Sequence, residues 1–175
     1  MKKKIFINVK KCLGCKSCEL ACAVVHSSKG ELQSAIYAGE KPGHRIKIEV
    51  YKNHAVPVHC NHCEEAACML VCPTGAIHRE NDQGPVLIDE TRCIGCKMCV
   101  QACPFGMIDV SADGKSVLKC DMCIARLEEG KEPACVAACI TGALYFGNEE
   151  EVNKKKRKKV AEQLVKSQEQ QNDSE

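Results

Sequence analysis

Sixteen of the 175 residues are cysteines, and they fall into four groups of four. Cys12, Cys15, Cys18 and Cys22 are spaced C-x2-C-x2-C-x3-C, and Cys93, Cys96, Cys99 and Cys103 repeat that spacing with Pro104 after the last. Cys60, Cys63, Cys68 and Cys72 widen one gap to C-x2-C-x4-C-x3-C-P, and Cys120, Cys123, Cys135 and Cys139 stretch it to C-x2-C-x11-C-x3-C. Four thiolates in such a run match a cube of four irons and four sulfides, in which each iron needs one protein ligand. The spacing therefore predicts four 4Fe–4S clusters as cofactors and one-electron transfer as the chemistry.

The intervals have a physical reason. A tight C-x2-C-x2-C loop can wrap three corners of a cube, with its backbone N–H groups turned toward the sulfides. In the bacterial ferredoxin run the fourth cysteine ligates the neighbouring cluster, which holds two clusters close together. Electron tunnelling falls steeply with distance, so closeness is what a relay requires.

Two other uses of dense cysteine fit less well. A zinc site takes two ligands from each C-x2-C knuckle, so the third cysteine of Cys12–Cys18 and of Cys93–Cys99 would be surplus. A disulfide scaffold belongs to exported chains. The start Met1-Lys2-Lys3-Lys4-Ile5-Phe6-Ile7-Asn8-Val9 shows no apolar leader core, small-residue cleavage site or twin arginine, so a cytoplasmic location with reduced thiols is expected.

Composition agrees with an inorganic core. The chain has three Tyr, three Phe and no Trp, and its 45% hydrophobic content falls to about 36% once the cysteines are set aside. Folding should then depend on cluster insertion, as in small metal domains. Each oxidised cluster with four thiolates carries a charge of −2, so four of them turn the formal +2 into about −6. A nucleic-acid partner is poorly supported by that sum, and no stretch approaches the apolar length of a membrane span.

The elements that must hold the cysteines are short. Strands are expected over 4–9, 45–51, 85–89, 115–118 and 143–146, and helices over 17–25, 64–71, 97–102 and 133–138. A phrase recurs after three groups: Pro73-Thr74-Gly75-Ala76-Ile77, Pro104-Phe105-Gly106-Met107-Ile108 and Ile140-Thr141-Gly142-Ala143-Leu144. Each reads as a helix end, a Gly turn and the start of a strand. After Cys22 the text is Ala23-Val24-Val25-His26, so that helix should continue. Residues 27–44, rich in Gly and Pro, read as an insertion loop.

Groups two and three both end in Cys-Pro with 20 residues between Cys72 and Cys93, which reproduces one two-cluster unit. Groups one and four are left to pair around it. The expected fold class is α+β, with two nested bacterial-ferredoxin-like lobes. The outer lobe takes residues 1–26 and 109–147, an insertion with a strand or hairpin takes 27–59, the inner lobe takes 60–108, and a charged helical tail takes 148–175. In that tail Glu149-Glu150-Glu151 precede six consecutive basic residues, Lys154 to Lys159, which suits a solvated helix.

With the groups placed, the chain resembles the four-cluster ferredoxin-like subunits of anaerobic formate dehydrogenases, dimethyl sulfoxide-type reductases, hydrogenases and carbon monoxide dehydrogenases. The resemblance covers residues 4–147. It implies exchanged ligands: Cys12, Cys15, Cys18 and Cys139 for one cluster, and Cys120, Cys123, Cys135 and Cys22 for its outer neighbour. For the inner pair it implies Cys60, Cys63, Cys68 and Cys103, and Cys93, Cys96, Cys99 and Cys72. Ile140 departs from the family pattern, where many relatives have proline. The text Leu13 to Cys22, Val25-His26-Ser27 and Cys60-Asn61-His62-Cys63-Glu64 is most similar to the carbon monoxide dehydrogenase-associated subunit. That likeness implies electron transfer from such a dehydrogenase to a hydrogenase or another reductase, with a formate dehydrogenase or hydrogenase complex as the alternative. The chain would then be peripheral to a membrane complex through its partner.

Sixteen cysteines satisfy sixteen iron corners, so none of His26, His44, His54, His59, His62 or His78 is needed as a ligand. His59 and His62 flank Cys60 and could hydrogen-bond cluster sulfur, although packing is the commoner use of such residues. No nucleophile–base set or phosphate-cradling loop is evident. The chain is expected to be non-catalytic.

Overall fold

The computed structural model describes residues 3–172; residues 1, 2 and 173–175, at the outer limits of the expected outer lobe and tail, lie outside the described residues. Strand β1 (Lys4–Ile7) leads through a 3-10 turn (Val9–Lys11) to helix α1 (Ser17–Val25). A short helix α2 (Leu32–Tyr37) precedes a hairpin of β2 (Ile46–Tyr51) and β3 (His54–His59). Then come α3 (Ala67–Leu70), β4 (Ile77–His78), β5 (Leu87–Ile88), α4 (Met98–Ala102), β6 (Ile108–Val110) and β7 (Val117–Lys119). The fold closes with α5 (Ile124–Glu128), α6 (Ala134–Ala137), β8 (Leu144–Gly147) and the long α7 (Glu149–Asn172).

This is a mixed helix and strand fold whose described strands pair only in twos, all antiparallel: β1 with β8, β2 with β3, β4 with β5, and β6 with β7. Two-stranded ribbons are marginal by themselves. They are held here by two separate buried groups of side chains. One joins Ile5, Ile46, Met122, Val136 and Leu144 with Cys18, Cys22 and Cys135. The other joins Ala66, Ile77, Val86, Ile108 and Val117 with Cys99, and packs on Cys68, Cys72, Cys93 and Cys103. The first draws on cysteine groups one and four, the second on groups two and three.

Several expected elements differ in extent. Residues 27–44 contain α2, which Gly39 ends at φ +64. The helix expected over 64–71 is confined to Ala67–Leu70, because Ala66 is extended and serves as its N-cap. The strand expected over 85–89 retains two residues. Helix α5 fills the long interval between Cys123 and Cys135. No helix among the described residues is long and apolar enough to cross a membrane.

Candidate metal centres

Each C-x2-C loop is built on the same backbone turn. The residue before the second cysteine has positive φ in all four groups: Gly14 at +69, His62 at +46, Gly95 at +66 and Met122 at +60. In groups one and three a second left-handed residue, Lys16 or Lys97, comes after that cysteine and caps the helix carrying the third. A residue with a side chain is strained there, by about 1–2 kcal/mol. Gly95 has a further reason to be glycine, since a Cβ would stand 2.5 Å from the Lys115 carbonyl oxygen.

The turn after the fourth cysteine also repeats. The N–H groups of Gly75, Gly106 and Gly142 donate to the carbonyls of Cys72, Cys103 and Cys139 at 3.2, 3.2 and 3.1 Å. Thr74 and Thr141 place hydroxyls 3.8 and 3.7 Å from the sulfurs of Cys72 and Cys139. After Cys22 there is no such turn, and α1 runs on to Val25.

These loops gather sulfurs from different groups around common spaces. One cavity is lined by Cys12, Cys15, Cys18 and Cys139, another by Cys60, Cys63, Cys68 and Cys103, and a third by Cys72, Cys93, Cys96 and Cys99. About 300, 380 and 320 Å3 respectively are free of protein atoms there. Cys22, Cys123 and Cys135 are buried, and Cys135 feels the charges of Cys120, Cys123 and Cys22. A single tetrahedral zinc with bonds of about 2.3 Å would draw its sulfurs to about 3.8 Å apart. Among the described residues no three cysteine sulfurs lie within 4.8 Å of one another. Sulfurs spread this widely do not suit one ion, whereas a cube holds its thiolates further apart.

Backbone and charge prepare the sulfurs for iron. Amide groups of Arg45, Met122 and Leu144 donate to Cys22, Cys120 and Cys139 at 3.2, 3.4 and 3.4 Å. Burial pushes the thiol of Cys18 up to about 11 and that of Cys120 up to about 12, and raises Cys135 further. Burial also raises Cys139, but the Leu144 amide and the Thr141 hydroxyl outweigh it and leave this thiol below its ordinary range. Crowded thiols that resist ionisation need cations among them, which iron supplies.

A polar network with no signature in the sequence ties group one to group four. Asp121 accepts from Arg45 Nη1 at 2.8 Å and from the Cys123 amide at 2.9 Å, and meets His26 Nε2 at 3.2 Å. His26 Nδ1 lies 2.6 Å from the Cys22 carbonyl oxygen. Burial lowers the His26 pKa, but the bonds to Asp121 and Cys22 outweigh it and lift it to about 9. Burial likewise raises Asp121, and His26 and Arg45 reverse this, holding it well below the carboxylate range. Both histidines that flank Cys60 engage backbone groups. His59 Nδ1 is 2.8 Å from the Cys60 carbonyl oxygen, and His62 Nδ1 accepts the Val86 amide at 3.0 Å.

Known proteins share this pattern. Residues 51–149 match the 4Fe-4S dicluster domain family, and residues 10–25 match a 4Fe-4S binding domain. The sequence is 41% identical over 159 residues to YnfG of Escherichia coli (strain K12), a probable anaerobic dimethyl sulfoxide reductase subunit, covering 86% of this chain and 75% of that one. It is 43% identical over 152 residues to an iron-sulfur protein of Rhodospirillum rubrum, covering 80% and 79%. It is 40% identical over 146 residues to the thiosulfate reductase electron transfer subunit PhsB of Salmonella typhi, covering 81% and 73%. This protein belongs to the 4Fe-4S dicluster ferredoxin-type family. Within it, the chain is an iron–sulfur electron-transfer protein with sixteen cysteines and four 4Fe–4S clusters as cofactors.

Proposed function

We propose that this chain is the non-catalytic relay of an oxidoreductase complex, with two nested two-cluster lobes and ligands exchanged within each lobe. One seat is Cys12, Cys15, Cys18 and Cys139, and its outer neighbour is Cys22, Cys120, Cys123 and Cys135. The inner seats are Cys60, Cys63, Cys68 and Cys103, and Cys72, Cys93, Cys96 and Cys99. The observation that carries this reading is that three cavities are each walled by one such quartet, drawn from two groups. When bound, the clusters supply one-electron transfer.

The row has two ends. Cys15 and Cys96 are the only exposed cysteines among the sixteen, and exposed Leu13 and Ile94 stand beside them at matching positions. Cys60 and Cys120 lie close enough for their charges to interact, which brings the other two seats together in the middle. The order is therefore the Cys15 seat, the Cys120 seat, the Cys60 seat and the Cys96 seat, with partners docking at the ends.

For the partner, the motif text around Cys12–Cys22 and Cys60–Glu64 supports a carbon monoxide dehydrogenase, with delivery to a hydrogenase or another reductase. The relatives named for dimethyl sulfoxide and thiosulfate reductases support a reductase partner instead. Anaerobic co-purification from the native cell, with mass spectrometry of the bound enzyme, separates the two. Recovery of a nickel–iron dehydrogenase supports the first, recovery of a molybdopterin reductase supports the second, and a chain that itself reduces such substrates would overturn the non-catalytic reading.

A further inference from the structure

Lys119 closes β7 beside Cys120 and is only 3% exposed, the one buried lysine or arginine among the described residues. It makes no salt bridge among them. Its Nζ donates to the carbonyls of Val86 and Cys120, the latter at 2.8 Å. The neighbouring acid, Asp121, is already committed to Arg45 and His26. An ammonium held this far from water, with carbonyl dipoles alone for company, is unfavourable unless negative charge lies close by.

That negative charge stands on both sides. Lys119 forms part of the wall around Cys60, Cys63, Cys68 and Cys103. On its other side it adjoins Cys120, and it lines a second hollow with Arg45 and Asp121. Burial raises the thiol pKa of both Cys68 and Cys120, and the Lys119 charge pulls each back down. The two end seats have lysines too, Lys16 and Lys97, but both are exposed and screened by water.

We propose that Lys119 is the shared counter-charge of the two middle seats and raises the reduction potentials there relative to a neutral side chain. This rests on the ligand sets proposed above. Each reduction adds one electron to a seat that is already negative, and a fixed positive charge in a poorly screened interior favours the added electron. No proton leaves Lys119 in the step. Lys119 is a positioning residue for charge, while the cysteines alone hold iron.

The test uses the full-length, anaerobically prepared holoprotein and redox titration followed by electron paramagnetic resonance. Lys119→Gln keeps an N–H donor for a carbonyl but removes the charge; Lys119→Arg keeps the charge. The Gln variant should lower two of the four midpoints, so that at a fixed potential the reduced-to-oxidised ratio of those two falls by at least about tenfold, or ~59 mV for one electron. The Arg variant should stay near the wild-type values. Unchanged midpoints in the Gln variant, an equal shift of all four, or an Arg shift as large as the Gln shift would overturn the proposal. If the Gln variant loses iron, loss confined to the two middle seats and restored by Arg supports it, whereas loss at all four or no rescue overturns it. Failure of the ligand sets would show instead in Cys22→Ala and Cys103→Ala, as iron lost from a seat other than the one proposed, while failure of the Lys119 role leaves the outcome of those two variants unchanged.

Discussion

The segments Cys12–Cys22 and Cys93–Cys103 start alike and end differently. Both have a glycine before the second cysteine, at φ +69 and +66, and a left-handed lysine after it, and both begin a helix there. Helix α4 stops at Ala102, and Pro104 and Gly106 turn the chain away. Helix α1 continues past Cys22 and sets His26 one turn further on, where it meets Asp121 from 95 residues later. The cysteine loop is thus a local structure, fixed by spacing and backbone conformation. Both segments pack in apolar cores, and the residues after the fourth cysteine differ in what they add: α1 carries His26 to a polar network with Asp121, whereas the turn after Cys103 leads to Ile108, which packs with Ile77, Val86 and Val117 around Cys99.

The sharpest way to break the comparison is to remove the fourth cysteine from each segment. Cys22→Ala should empty the seat of Cys120, Cys123 and Cys135, while Cys103→Ala should empty that of Cys60, Cys63 and Cys68. Each variant should fall from about sixteen irons to about twelve, since each seat holds four. Iron analysis with magnetic spectroscopy reads this, and loss of the Cys12 cluster with the Cys120 seat intact would contradict ligand exchange.

The two glycines sharpen it next. At Gly95 an added methyl would strike the Lys115 backbone carbonyl at 2.5 Å, whereas at Gly14 it would meet the Ala55 Cβ at 3.2 Å. Both substitutions carry the left-handed penalty, so Gly14→Ala should cost about 1–2 kcal/mol. Gly95→Ala adds an overlap with backbone and should cost about 3 kcal/mol or more. Anaerobic thermal unfolding of the holoprotein should therefore rank Gly95→Ala well below Gly14→Ala; equal losses would mean the loops are not held against different neighbours.

A smaller effect should come from Asp121→Asn, by about 1–2 kcal/mol, because the carboxylate is partly exposed and its ion pairs are partly screened. The pH dependence has a definite sign. His26 titrates near 9 when folded, above its ordinary value of 6.5, so its contribution is complete below about 6.5 and disappears as pH rises through about 9. The wild-type protein should lose stability across that window, and Asp121→Asn should lose less. Identical pH profiles would remove the network from the account. Least of all should come from Lys155→Ala, whose ammonium sits 3.7 Å from the Tyr145 ring centroid at the surface; about 0.5–1 kcal/mol is expected in the same unfolding measurement, with iron content unchanged.

Local chemistry is legible in the sequence and long-range polar chemistry is not. Helix α1 can be read to the residue because Cys18 and Cys22 share a face at i and i+4, and β1 with β8 stand out by their apolar text. Helix α2 is obscured by the glycines and prolines around it, although Gly39 is its stop signal. Helix α5 begins from Cys123 itself at positive φ, a cap that no propensity rule anticipates. His62 and Met122 take the backbone role of Gly14 and Gly95 without being glycine, so only half of the repeated turn is visible as residue type. Lys119, Arg45, Asp121 and His26 carry no local pattern, since their partners lie on other elements and the fold alone brings them together.

The most direct measurement is the iron and acid-labile sulfide content of the full-length chain after anoxic reconstitution. Four cubes require about sixteen of each per chain. A colourless protein holding a few zinc ions, or one that stops well short of sixteen irons with every cysteine present, would contradict the claim that each quartet of sulfurs is a seat for one cluster.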